Sequence, residues 1–330
     1  MRTVPGPTDH VVVVGAGLSG LSAALQLAGL TVDAVESAEA ARPRLTAGRR
    51  SIDSRRRWRD PCENDWGCAP QAASPREAKM GSILLTDVMV LDSSGAEPFP
   101  GEVLIHGNRI KSVARGRGQI ARDQAGSVID GQGMTLMPGM VEGHCHPSFT
   151  GVSMPFHLGM IPPEEHTLKT AANVKLLLES GFTSIYCAAS AKPRLDVVVR
   201  NAINAGELPG PRMRAASPEL VATGGLGDER QLHLHRESFA LIADGPEEIR
   251  RAVRTCIREG VDNIKLNVSG DDFYPHAPAG CTTYMDDEVK MACEIAHEFG
   301  KQVATHSRSA NSVKLSVRNG VDCIYHCEFA

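Results

Sequence analysis

Two histidines, His144 and His146, close the apolar run "TLMPGMVEGHCHP" (residues 135–147). Residues two apart on a strand point to the same side, so an H-x-H pair at a strand end presents both imidazoles to one point and can chelate a metal ion. Three later apolar runs also end on a residue able to ligate: Lys265 in "DNIKLNVSG", His306 in "VATHSRS" and His326 in "DCIYHCEF". A second H-x-H, His233 and His235 in "QLHLHRE", stands in a polar stretch and reads as surface. Between the first pair, Cys145 is expected on the opposite, core-facing side, and Tyr325 beside His326 is expected to alternate away in the same manner.

The elements that would bring these ends together are strands and helices in turn. "LKTAANVKLLLESG" leads into "FTSIYCA", "DGPEEIRRAVRTCIREG" into "VDNIKLNVS", "DDEVKMACEIAHEFG" into "QVATH", and "ANSVKLSVRNG" into "VDCIYH". Asp244 reads as the cap of the second helix, with Ile249, Val253, Cys256 and Ile257 on its buried face. Alternation at this spacing indicates an α/β fold, a parallel barrel or a doubly wound sheet. In a barrel, strand C-termini gather at one mouth, where a metal centre can assemble. Upstream, "SILLTDVMVLD", "GEVLIHGNRIKSVARG" and "SVIDGQGMTLMPG" are short alternating strands, the middle one folded at Gly107-Asn108.

On "MPGMVEGHCHP", "IKLNVSG", "VATHSRS" and "VDCIYH", residues 80–330 resemble the metal-dependent amidohydrolase superfamily, in particular its imidazolonepropionase-like and prolidase-like branch. The resemblance implies an incomplete (β/α)8 TIM-type barrel over residues 139–330, strands one to six, with a small β-sandwich subdomain over 80–138. It implies two divalent metal ions, zinc by expectation. His144 and His146 would hold one, His306 and His326 the other, with Lys265 bridging as a carbamate formed with CO2. A carbamate makes chemical sense, because an ammonium cannot ligate a cation whereas a carbamate offers two anionic oxygens. The implied reaction is attack of a metal-activated hydroxide on the C–N bond of a small amide or cyclic amide, with Lys265 and His306 in the catalytic set. Relatives carry a further aspartate at the eighth strand. The chain is expected to lack it, since fewer residues follow Gly139 than the roughly 250 a closed barrel takes; a catalytically inactive, truncated remnant is the corresponding alternative. Relatives often have histidine where Leu226 stands in "VATGGLGDER". His276 and Tyr274, in the loop after the lysine strand, are candidate substrate contacts.

The N-terminal stretch differs. "HVVVVGAGLSGLSAALQLAGLTVDAVESA" has the order of a Rossmann-like βαβ fragment (residues 1–40): apolar strand, glycine turn at Gly15, Gly17 and Gly20, helix, second strand and an acid at Glu36. It resembles the FAD-binding N-terminus of flavin amine oxidases, which implies an FAD grip by those four residues. A second glycine motif and a substrate domain are not recognisable downstream, so retained FAD is not expected and a flavin-dependent amine oxidase is the alternative reading. Residues 41–79 read as a linker: eight arginines fall between Arg42 and Arg59, and all nine lysines lie at or after Lys79. The whole chain has 330 residues, 42% hydrophobic, and a net charge of −4, which supplies no basic field for nucleic acid or an anionic membrane. Nine cysteines without zinc-finger spacing and no recognisable signal peptide suggest reduced thiols in a cytoplasmic protein. A homo-oligomer is compatible with the sequence.

Overall fold

The computed structural model describes Val11–Val14 and residues 81–233, 238–272 and 274–329. The glycine turn, Glu36, the arginine-rich stretch and His235 lie outside the described residues. Six strands build the first sheet: β1 (Val11–Val14), β2 (Ser82–Val90), β3 (Phe99–His106), β4 (Arg109–Arg115), β5 (Ser127–Asp130) and β6 (Thr135–Pro138). Their order is β1-β6-β2-β3-β4, with β5 on β2. The β3–β4 hairpin turns at Gly107 and Asn108, where Gly107 takes φ 56°. Alternation along β2 and β3 buries both faces. Leu85, Val88, Val103 and Ile105 pack with Leu136 on one side, and Leu84 and Leu104 meet Ile120 and Ala125 on the other. The strands expected as a small sandwich are therefore hydrogen-bonded into one mixed sheet. Val11–Val14, expected to open a nucleotide-binding unit, pairs in parallel with Thr135–Pro138 at the edge of that sheet.

From Met140 onward the strands are parallel and alternate with helices. β7 (Met140–Cys145), β8 (Phe182–Cys187) and β9 (Arg212–Arg214) form one sheet. β10 (Ala216–Val221), β11 (Leu241–Ile242), β12 (Asn263–Asn267), β13 (Gln302–Ser309) and β14 (Cys323–Phe329) form another, ordered β11-β10-β12-β13-β14. The helices are α1 (Pro163–Glu179), α2 (Leu195–Asn204), α3 (Gly245–Arg258), α4 (Asp286–Glu298) and α5 (Ala310–Arg318). Apolar residues on the helix-facing side of the strands, such as Leu220, Ile264, Leu266 and Val303, pack with Ile249, Val253, Val289 and Leu315 in one core. Side chains on the other side of the strands face one interior. There Asn263 Nδ2 donates to Cys187 O across 3.0 Å, and Tyr325 Oη donates to Gly143 O at 2.9 Å, joining the last strand to the first of the parallel series.

Asp244 occupies the N-cap position of α3, but its carboxylate turns away, accepting hydrogen bonds from Thr223 N at 2.9 Å and Thr223 Oγ1 at 2.5 Å. The start of α3 is served instead by Glu288 of α4, whose Oε1 accepts from Gly245 N at 2.6 Å. No helix among the described residues is long and apolar enough to cross a membrane.

Candidate metal centre

His144 and His146 leave the C-terminal end of β7 on the same side, and their Nε2 atoms lie 3.2 Å apart. Cys145 between them is buried among Val174, Ile185 and Cys187, as alternation requires. Strand β12, "NIKLN", is buried along its whole length, with Ile264 and Leu266 in the helix-facing core. Asn263, Lys265 and Asn267 therefore line the interior. Ladder partners on parallel strands face the same way, so the pairing of Asn267 with His306 puts that ring beside the end of the lysine strand.

The last strand departs from the sequence expectation. His306 pairs with Tyr325, so regular alternation turns Tyr325, not His326, to the interior. The Tyr325 ring stacks on His144 at 3.9 Å between centroids and 15° between planes, and Lys265 Nζ lies 4.7 Å from its centroid. Tyr325 thus belongs to the site, and the expectation that it points away is corrected. His326 pairs with Ser307, whose hydroxyl meets Ser316 of α5 on the outer side. His326 comes round to the centre through left-handed backbone at His326 (φ 77°) and Cys327 (φ 57°), with a register irregularity after Ser307. Non-glycine residues in that region typically carry about 1–3 kcal/mol of strain each, and such strain gathers at functional sites. The result is a ring of imidazoles: His326 lies 4.3 Å from His306 and 5.1 Å from His144 by centroid, and His144 lies 5.1 Å from His146.

Burial and the Lys265 charge act together on these rings. Desolvation first, then Lys265, lowers His144 to about 4 and His306 to about 2. The same two causes, in the same order, hold His146 well below the usual imidazole value and lower His326. Each ring is consequently neutral at physiological pH, the form with a lone pair to donate. Lys265 is 1% exposed, and its burial lowers the ammonium to about 8 against an opposing pull from Glu219. Glu219 was not singled out by the sequence; it stands opposite Lys265 on β10, and its Oε2 accepts from Asn267 Nδ2 at 2.9 Å. Asn267 Nδ2 also donates to Leu226 O at 3.0 Å, so the glycine loop reaches the interior through backbone rather than a side chain.

The remaining candidates lie further along their loops. Tyr274 Oη donates to Glu229 Oε1 at 2.7 Å, and exposed His276 packs edge-on against Tyr274 at 5.5 Å. His233 is exposed. No three His, Cys, Asp or Glu side chains among the described residues already surround one ion position. The donors nevertheless fit one. Two zinc–nitrogen bonds of about 2.0–2.1 Å at a tetrahedral angle separate their nitrogens by roughly 3.3 Å, close to the 3.2 Å between His144 and His146.

Comparison with known proteins bears on the family of the chain. Residues 135–329 match the Amidohydrolase family. An ochratoxinase from Aspergillus niger is 24% identical over 279 residues, covering 78% of this chain and 56% of its own length. The crystal structure of a prolidase complexed with N-methylphosphonate-L-proline superposes with a TM-score of 0.67 at 26% identity, covering 76% of this chain and 62% of the other. A phytoene dehydrogenase from Streptomyces griseus shares 76% identity over 29 residues, 9% of this chain and 6% of its own length. The chain belongs to the amidohydrolase family, and it spans a little over half the length of the curated ochratoxinase that it matches.

Proposed function

We propose that this chain carries the metal-binding part of a hydrolase that cleaves the C–N bond of a small amide or cyclic amide. The observation that carries the reading is the convergence of two Nε2 atoms at zinc-chelate spacing beside two further neutral imidazoles and a buried lysine. His144 and His146 would hold one divalent ion, His306 and His326 a second, and Lys265, as a carbamate, would bridge them; the nitrogen-rich donor set suits zinc. Bound ions of this kind supply a water of lowered pKa and polarise a carbonyl. The protein's own part is preorganisation. Tyr325, tied to Gly143 O, braces the His144 ring face-on, and burial keeps the imidazoles unprotonated. Depression of the Lys265 ammonium toward neutrality leaves a usable fraction of free amine to add CO2.

Counting β9 and β10, one residue apart, as a single strand, β7, β8, β9/β10, β12, β13 and β14 would be the first six of a (β/α)8 barrel over residues 139–330, and the sheet over 80–138 a subdomain beside it. Residues 1–40 would be a Rossmann-like fragment joined through a linker at 41–79. The ochratoxinase and prolidase names, and the wider family, support amide substrates. The test is release of amine from a panel of N-acyl amino acids, dipeptides and cyclic amides by zinc-loaded protein. Turnover abolished by chelation and by His144→Ala supports the reading; turnover indifferent to both overturns it.

A further inference from the structure

Two charged residues that the sequence did not single out, Asp271 and Arg308, bind three ligand-bearing elements together. His306 Nε2 is 3.0 Å from Gly270 O and 3.5 Å from Asp271 Oδ2, both on the loop after β12. A carbonyl oxygen only accepts, so the ring proton is on Nε2 and the lone pair on Nδ1. The loop's own path requires glycine at 270, since a Cβ there would fall 1.9 Å from Ala277 O. Asp271 is 4% exposed. It is held by Arg308, two residues beyond His306 on β13, whose Nε lies 3.2 Å from Asp271 Oδ2; the N–H is not aimed at the oxygen, so the contact is an ion pair and not a hydrogen bond. The same guanidinium pairs through Nη1 with Glu328 Oε2 at 3.1 Å and with Asp272 Oδ2 at 3.7 Å. Glu328 stands two residues beyond His326, just past the left-handed backbone that brings that ring inward.

We propose that Asp271 and Arg308 are positioning residues for the His306/His326 half of the centre. Gly270 O takes the Nε2 proton of His306 and leaves Nδ1 as its donor nitrogen, and Asp271, next in the chain and 3.5 Å from the same Nε2, holds that carbonyl against the ring. Arg308 locks Asp271 in place and pins the strained end of β14. The inference rests on the metal-centre reading above. Carboxylate partners of ligating imidazoles are commonly worth about 10- to 100-fold in metal affinity. The pair touches neither His144 nor His146, so its effect is confined to one ion.

The experiment is stepwise zinc titration of the whole chain against a chelating fluorophore, comparing the parent with Asp271→Asn, Arg308→Met and Arg308→Lys, with far-UV circular dichroism as the fold control. Two ions are expected in the parent. In Asp271→Asn and Arg308→Met, one affinity is expected to weaken at least 10-fold while the other stays unchanged, and Arg308→Lys is expected to recover part of the loss. Asp271→Asn is nearly isosteric and keeps the test decisive should Arg308→Met fail to fold. Two ions with parental affinities in Asp271→Asn overturns this inference alone. No zinc in the parent overturns the metal-centre reading itself, and this inference with it.

Discussion

Lys265→Met in the metal-free chain isolates what the buried lysine costs. Burial lowers the ammonium from 10.5 to about 8, with the attraction of Glu219 already included. At about 1.4 kcal/mol per pKa unit, carrying Lys265 protonated in the folded state at pH 7 costs on the order of 3 kcal/mol. The unfolded chain binds more protons than the folded one between the two values, so stability rises with pH across that window. The full penalty stands below pH 8 and disappears above pH 10.5. Methionine fills a similar length of side chain without a charge. Urea unfolding followed by circular dichroism, with chelator present and CO2 excluded, is expected to show Lys265→Met more stable than the parent by about 3 kcal/mol at pH 7. The gap is expected to close as pH approaches 10.5. With zinc and bicarbonate added the order should reverse, because the variant cannot form the bridging carbamate. A metal-free variant no more stable than the parent at pH 7, or a gap independent of pH, would refute the account of Lys265 as a lysine held against its charge.

Two other outcomes follow from the same interior. Tyr325→Phe keeps the ring on His144 but removes the hydrogen bond to Gly143 O, and should lower unfolding stability by about 1 kcal/mol; an unchanged denaturation midpoint would show that this bond contributes nothing. Purified protein should be colourless, since Gly15, Gly17, Gly20 and Glu36 supply at most a pyrophosphate and ribose grip and Val11–Val14 pairs with the first sheet; a flavin absorbance band after gel filtration would reverse that expectation.

The candidate site was legible where strand alternation is regular. His146 and Lys265 alternate with apolar residues of the helix-facing core, Cys145, Ile264 and Leu266, so a period of two sorts ligand from core, and His144 and His306 keep the same period although Thr305 and Ser307 beside His306 are polar. The same rule failed at Tyr325 and His326, because left-handed backbone at His326 and Cys327 reverses the side that alternation assigns. Nothing in "CIYHCEF" signals that reversal, since neither residue is glycine or asparagine. Glu219 was a missed signal of another kind: a carboxylate in the otherwise uncharged strand "ASPELV", every residue of which is buried, asks for a partner in the interior. Asp271 and Arg308 gave no local sign, as their pairing joins a loop to a strand 37 residues later. In the fold, the helix–strand order was readable from periodicity, whereas β9 and β10 were not delimited, and the turning of Asp244 toward Thr223 depends on tertiary contact.

Elemental analysis of the purified chain after zinc loading and desalting tests the central claim most directly. Two ions per chain are expected in the parent, with a deficit in the double variant His144→Ala/His146→Ala, since that change removes both converging Nε2 donors. A parent that holds no zinc, or a double variant that retains the parent's full content, would contradict it.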